Sequence, residues 1–232
     1  MATADHRTTD RITRVGMARR VASLSVAAAQ EHWRTAHGDV ASGIPGLRSY
    51  VQNHQVMHDG VPLLPYPGFD ACSELEFDDF DAMWSGFASE HYRSAVQADE
   101  ANLIDKTRFT MALTRRRVLA DGDPSVDAVK LMSFLRVHPA ATAEELVETL
   151  EGPYAEAVQM AGPVRHELLV TDPEAHPPSV PPCCEAIDIQ WYPSPGEALG
   201  ALTGALSERP GWLLAGRAFG VARLLAHPIR QL

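Results

Sequence analysis

The stretch Glu31–His54, EHWRTAHGDVASGIPGLRSYVQNH, constrains this chain more than any other. Val26, Ala29, Trp33, Ala36, His37 and Val40 recur at the period of one helix face. The period stops at Ser42-Gly43, and the turn residues Pro45 and Gly46 follow. From Leu47 to Val56 the side chains alternate as in a strand, with Tyr50, Gln52 and His54 on one face. One helix–turn–strand unit therefore carries two histidines and a tyrosine.

Around this unit the pattern predicts strands at Ile12–Arg19, Phe69–Asp78 and Phe109–Val118, and helices at Phe80–Ser89 and through Glu90–Asp105. Met1–Arg11 is polar and is expected to fray. In the third strand Ser73, Leu75 and Phe77 point one way, and Cys72, Glu74 and Glu76 the other. The order is β-α-β-β-α-β, a ferredoxin-like unit. After the turn Asp121–Pro124 the order repeats: a strand at Ala128–Val137, a helix from Thr142 to about Met160 opened by a Thr142/Glu145 capping box, and the Gly162-Pro163 turn. Strands at Val164–Thr171, Cys184–Tyr192 and Ala218–Ala226 complete it, with a helix at Pro195–Glu208. The expected class is α+β, two tandem repeats divided as 1–120 and 121–232. Each sheet has helices on one side only, so its other face must be covered.

The WxxxH helix, the IPGLRSYVQNH turn and strand, the SELEF strand and the FDAMWSGFAS helix together resemble the EthD family (ethyl tert-butyl ether degradation) of dimeric α+β barrels. The resemblance spans roughly Ile12 to Val118. It implies two sheets facing each other across a barrel, built within this chain or with a second copy. It also implies a role in proton transfer for His37 and Tyr50, since members of the broader superfamily use a helix histidine and a strand tyrosine. The second repeat has no WxxxH; Pro153-Tyr154 fall where His37 does. One site per chain is expected, with Asp188 or His166 lent by the second half.

Composition narrows the partners. The net charge of −10, from 20 basic and 30 acidic residues, disfavours nucleic acid, which requires a clustered positive field. No apolar run reaches the ~18 residues of a membrane span. Three cysteines, two of them the adjacent Cys183 and Cys184, do not make a disulfide framework, so a cytoplasmic protein is expected. Exposed sheet edges and the helix face Leu199, Leu202, Leu206 suggest a homodimer.

For chemistry, Tyr50, Gln52 and His54 are expected to line the barrel interior together with Cys72, Glu74 and Glu76. His37, Tyr50, His54 and Glu74 are the catalytic candidates, because imidazole, phenol and a carboxylate beside a like charge can move protons. Trp33, Gln52, Cys72, Glu76 and Asp188 are the substrate-binding candidates. The plainer reading makes His37 a helix C-terminal cation and Tyr50 a core ring. Walker, GxGxxG, GxSxG and HExxH motifs are lacking, and neither a cofactor nor a metal is expected. The reading is a cofactor-independent lyase or isomerase acting on a small, partly apolar lactone or aromatic compound. A cofactor-free monooxygenase and a non-catalytic binding protein are the alternatives.

Overall fold

The computed structural model describes residues 7–203 and 213–232. Eight antiparallel strands close into one barrel: β1 Arg7–Arg20, β2 Leu47–Gln55, β3 Ala71–Phe77, β4 Ile104–Ala120, β5 Val129–Val137, β6 Arg165–Thr171, β7 Ala186–Tyr192 and β8 Ala218–Arg230. Around the barrel they run β4-β1-β3-β2-β8-β5-β7-β6 and back to β4. Each half keeps the strand order of a ferredoxin-like sheet, and the halves join at two seams, β2 with β8 and β4 with β6. The barrel thus forms within one chain.

Helices lie outside. The first, α1, starts at Val26–His32, passes through a π-helical turn at Trp33–His37 and ends as Gly38–Ser42. Ser25 caps its start by accepting the Ala28 N–H. Next come α2, Phe80–Phe87, and α3, a π turn at Tyr92–Val96 continued by Gln97–Leu103. In the second half α4 runs Ala143–Thr149, kinks within Leu150–Tyr154 at the non-helical Gly152 before Pro153, and continues as Ala155–Gln159; it is opened by the expected Thr142/Glu145 capping box. Helix α5 spans Pro195–Thr203; the rest of the stretch expected to be helical, to Glu208, lies outside the described residues.

Three strands are longer than the sequence predicts: β1, β4 and β8, whose extension from Ala226 to Arg230 forms the seam with β2. The ladder between β1 and β4 continues from Arg20↔Ile104 to Arg7↔Val118. Pairing therefore makes strand of Arg7–Arg11, expected to fray, and of Ile104–Asp105, expected to be helix; residues 1–6 lie outside the described residues. Barrel closure also removes the sheet edges that suggested a homodimer. Leu199 and Leu202 pack against the cluster of Val129, Leu131 and Tyr192, and Leu206 is outside the described residues. No described helix is long and apolar enough to cross a membrane.

Alternation along each strand divides the core in two. Inward side chains such as Val15, Met17, Cys72, Met132, Phe134, Ile187 and Leu224 fill part of the barrel. Outward ones, including Ile12, Tyr50, Leu75, Phe77 and Leu113, pack under the helices. Ser73, Leu75 and Phe77 take the helix side and Cys72, Glu74 and Glu76 the interior, as their alternation predicts.

Candidate active site

Register decides which residues meet. Tyr50 pairs with Leu75 and Gln52 with Ser73 across the β2–β3 ladder. Directly opposed residues share a sheet face, so Tyr50 and Gln52 lie on the helix side with Leu75 and Ser73. This corrects the expectation that Tyr50, Gln52 and His54 line the barrel interior with Glu74. The nine candidate side chains fall into three places.

The first is a pocket between α1, α3 and the outer face of β1, β2, β3 and β4. Trp33, His37, Tyr50, Leu75, Tyr92, Glu100 and Arg14 are among its walls. The π turn Trp33–His37 carries two of them; such widened turns recur at functional sites. His37 is 8% exposed. Its Nδ1 lies 2.8 Å from Oδ2 of Asp99 on α3, and Nε2 of His32 lies 2.7 Å from the other oxygen of the same carboxylate. The bond through Nδ1 orients the ring and leaves Nε2 as its second nitrogen. The Tyr50 hydroxyl accepts from Trp33 Nε1 at 3.1 Å and from Gln52 Nε2 at 3.0 Å. Burial pushes its phenol up to about 12, so the oxygen keeps its proton at neutral pH and has a hydrogen bond to give.

Behind this wall, Gln52 also donates to the Trp33 carbonyl at 2.6 Å, and His54 stacks on Trp33 with ring centroids 4.4 Å apart. The nitrogens of His54 meet the amide oxygens of Gln30 and Gln52. Burial, with Arg34 and His227 nearby, lowers its ring to about 4, so it is neutral at pH 7. His54 does not line the pocket and acts as support.

The second place is a charged cavity at one end of the barrel, open to solvent. Glu74 accepts from Arg116 at 2.7 Å, from Asn53 at 2.9 Å and from Lys130. Arg116 also reaches Glu76 at 3.1 Å and Glu167 at 3.0 Å. Burial alone would raise the Glu74 carboxyl, but Lys130 and Arg116 outweigh it and hold it at about 2. It is a fixed anion, not the proton carrier its neighbour Glu76 suggested. Burial pushes the Cys72 thiol up, which suits packing and not nucleophilic attack. Neither residue shares a face with His37.

The third place is under α4. Asp188 was expected near the position of Glu74, yet it points outward. It accepts from Tyr154 at 3.0 Å and Gln190 at 2.7 Å and lies 2.6 Å from His166 Nε2. His166 and Asp188 are fully buried. This network belongs to the second half and does not reach the first pocket. Among the described residues, no three His, Cys, Asp or Glu side chains cluster to hold a metal ion.

Asp99 and Arg14 escaped the sequence reading. The bond from His37 to Asp99 joins two helices far apart in the chain. Arg14 shares its strand phase with Ile12, Gly16 and Ala18, and a lone charge in that phase was a usable signal.

Comparison with known proteins agrees with this architecture. Residues 22–107 match the EthD domain family. No curated protein matches the chain in sequence. Among solved structures, an anthrone oxidase-like protein superposes with a TM-score of 0.64 at 11% identity, over 96% of this chain and 94% of its own. A candidate monooxygenase from Lactobacillus acidophilus NCFM gives 0.56 at 13% identity, over 96% and 94%. A chlorite dismutase variant from Candidatus Nitrospira defluvii gives 0.52 at 6% identity, over 94% and 91%. At these identities the likeness establishes the fold, and its coverage shows that both halves of the barrel are shared. The segment that supplies His37, Tyr50 and Asp99 lies within residues 22–107, the part of the chain that matches the EthD domain family.

Proposed function

We propose that the pocket under α1 is the active site of an enzyme that moves a proton on a small, partly apolar substrate, as a lyase or isomerase does. The observation that carries this reading is His37, held through Nδ1 by Asp99 in the same pocket wall as the Tyr50 hydroxyl. Nε2 of His37 takes a proton from a carbon beside a carbonyl. Asp99 stabilises the imidazolium that forms. Tyr50, still protonated, donates a hydrogen bond to the developing oxyanion. Returning the proton at another carbon gives isomerisation; loss of a leaving group gives a lyase reaction. The side chains alone supply these steps.

The test is a thermal-shift screen of lactones and aromatic catabolites, followed by product analysis with wild type and His37→Ala. The expected result is a ligand that binds both proteins and is turned over roughly 10²–10⁴-fold more slowly by the variant. A folded His37→Ala that works at the wild-type rate removes the acid–base reading. Binding without turnover by the wild type favours an accessory binding protein.

The names of two whole-chain structural relatives, an anthrone oxidase-like protein and a candidate monooxygenase, favour a second reading. The same deprotonation makes an electron-rich anion that reduces O2. A CH2 group becomes C=O, with one oxygen atom kept and the other released as water. Stoichiometric oxygen consumption during turnover selects this reading over the first.

A further inference from the structure

We infer that Arg14 is the anion-binding residue of the pocket and that the ligand is an aromatic or other planar carboxylate. This rests on the reading of the pocket as a small-molecule site and adds the chemical class. Arg14 stands on the helix side of β1, between Ile12 and Gly16, and lines the pocket with Tyr50 and His37. Its guanidinium carbon lies 4.5 Å from the centre of the Phe87 ring and 5.0 Å from that of Phe109. The Arg14 side chain has no hydrogen-bond or ion-pair partner among the described residues.

That is unusual for a guanidinium in such a place. Arg116, buried in the barrel, meets three carboxylates. Arg20 meets Asp70 and Arg165 meets Glu167. The carboxylate in Arg14's own pocket, Glu100, is already taken by Lys106 at 2.9 Å and the Tyr92 hydroxyl at 3.2 Å. Arg14 is half-buried, and a guanidinium partly withdrawn from water without a protein acceptor carries a cost that two phenyl faces recover only in part. The fold keeps five N–H donors unused beside the two groups best placed for chemistry.

A carboxylate answers this arrangement. Its two oxygens match the planar guanidinium fork. Phe87, Phe109, Tyr92 and Trp33 give a flat apolar body rings to lie against. Arg14 precedes the stretch matched to the EthD domain, so the inference comes from the geometry of this chain.

Benzoate, phenylacetate and their uncharged amides are the probes. Binding to the full chain is measured by calorimetry, and melting temperature without ligand is followed in parallel, for wild type, Arg14→Gln and Arg14→Lys. The expected result is that wild type prefers at least one carboxylate over its amide. Arg14→Gln loses that preference with a roughly 10- to 100-fold weaker affinity. Arg14→Lys retains part of it. Arg14→Gln is expected to melt at or above the wild-type temperature, because an unpaired charge has been removed. No preference for either carboxylate in the wild type, or an unchanged preference in Arg14→Gln, overturns the inference. So does a lowered melting temperature in both Arg14 variants, which makes the guanidinium a structural prop. Turnover tests the role of His37 separately, so either reading can fail without the other.

Discussion

Asp99 sits between two imidazoles of one helix, 2.8 Å from His37 Nδ1 and 2.7 Å from His32 Nε2. It pins α3 against α1 and fixes which nitrogen of His37 remains for the pocket. Asp99→Asn keeps the shape but replaces one acceptor oxygen with an N–H group, which favours the wrong ring tautomer. Turnover is expected to fall by roughly 10²-fold or more with the fold intact. His32→Ala leaves the His37 bond in place and is expected to cost far less. Comparing kcat/KM of both variants across pH, with circular dichroism as a folding control, checks this. Equal effects of the two variants would show that Asp99 serves only to clamp the helices.

Tyr50→Phe separates hydroxyl from ring. The structure gives the hydroxyl two donors to satisfy, Trp33 Nε1–H and the Gln52 amide. Losing it leaves Trp33 Nε1–H without an acceptor in a buried wall, at a cost of about 1–3 kcal/mol. The variant is therefore expected to lose both turnover and melting temperature. Urea denaturation and steady-state kinetics measure the two losses separately. A variant as stable as wild type would mean that the Trp33 bond is not formed in solution.

The extent to which the sequence disclosed this site follows the range of the interactions. Within β3, alternation alone sorted Leu75 and Phe77 from Glu74 and Glu76, because a strand's period is a local property. Which of those faces Tyr50 would share depended on the pairing Tyr50↔Leu75, which neither strand specifies by itself. The contact between His37 and Asp99 is likewise a property of how two helices pack. The repeat was readable from its turns: Gly46 (φ 79°) and Gly162 (φ 71°) both take the left-handed conformation that favours glycine. Tyr50 follows the first at the same spacing at which His166 follows the second. The second half thus has tyrosine on the helix and histidine on the strand, Tyr154 and His166, an exchange of the His37 and Tyr50 positions. Identity by motif missed it, since WxxxH has no counterpart there.

His54 gives a pH prediction. Burial lowers its ring from an ordinary 6.5 to about 4, so between those values the unfolded chain binds a proton that the folded chain refuses. Its contribution is fully present above pH 6.5 and is lost as pH falls towards 4. His54→Gln removes this dependence and also the stacking on Trp33. Its stability at pH 7 is expected to be lower, and its further loss on going from pH 6.5 to 4 smaller, than in wild type. Denaturant titrations at several pH values in that window measure both. Equal slopes for the two proteins would refute the assignment.

Glu74 makes the opposite case, a buried carboxylate that contributes to folding and lies on the wrong face for the proposed chemistry. Lys130 and Arg116 hold it at about 2 against an ordinary 4.5. Its contribution is present above pH 4.5 and is lost as pH falls from there through about 2. Glu74→Gln leaves both cations short of a carboxylate, so the chain should be less stable at pH 7, by about 3–5 kcal/mol if the barrel does not relax. The remaining stability should fall less steeply below pH 4.5. Turnover by the folded variant should stay at the wild-type level, because the sheet separates Glu74 from the pocket that holds His37 and Tyr50. Kinetics at a temperature well below the variant's melting point decide the matter. A folded Glu74→Gln that binds the substrate but no longer turns it over would move the chemistry into the barrel, and with it the active site proposed under α1.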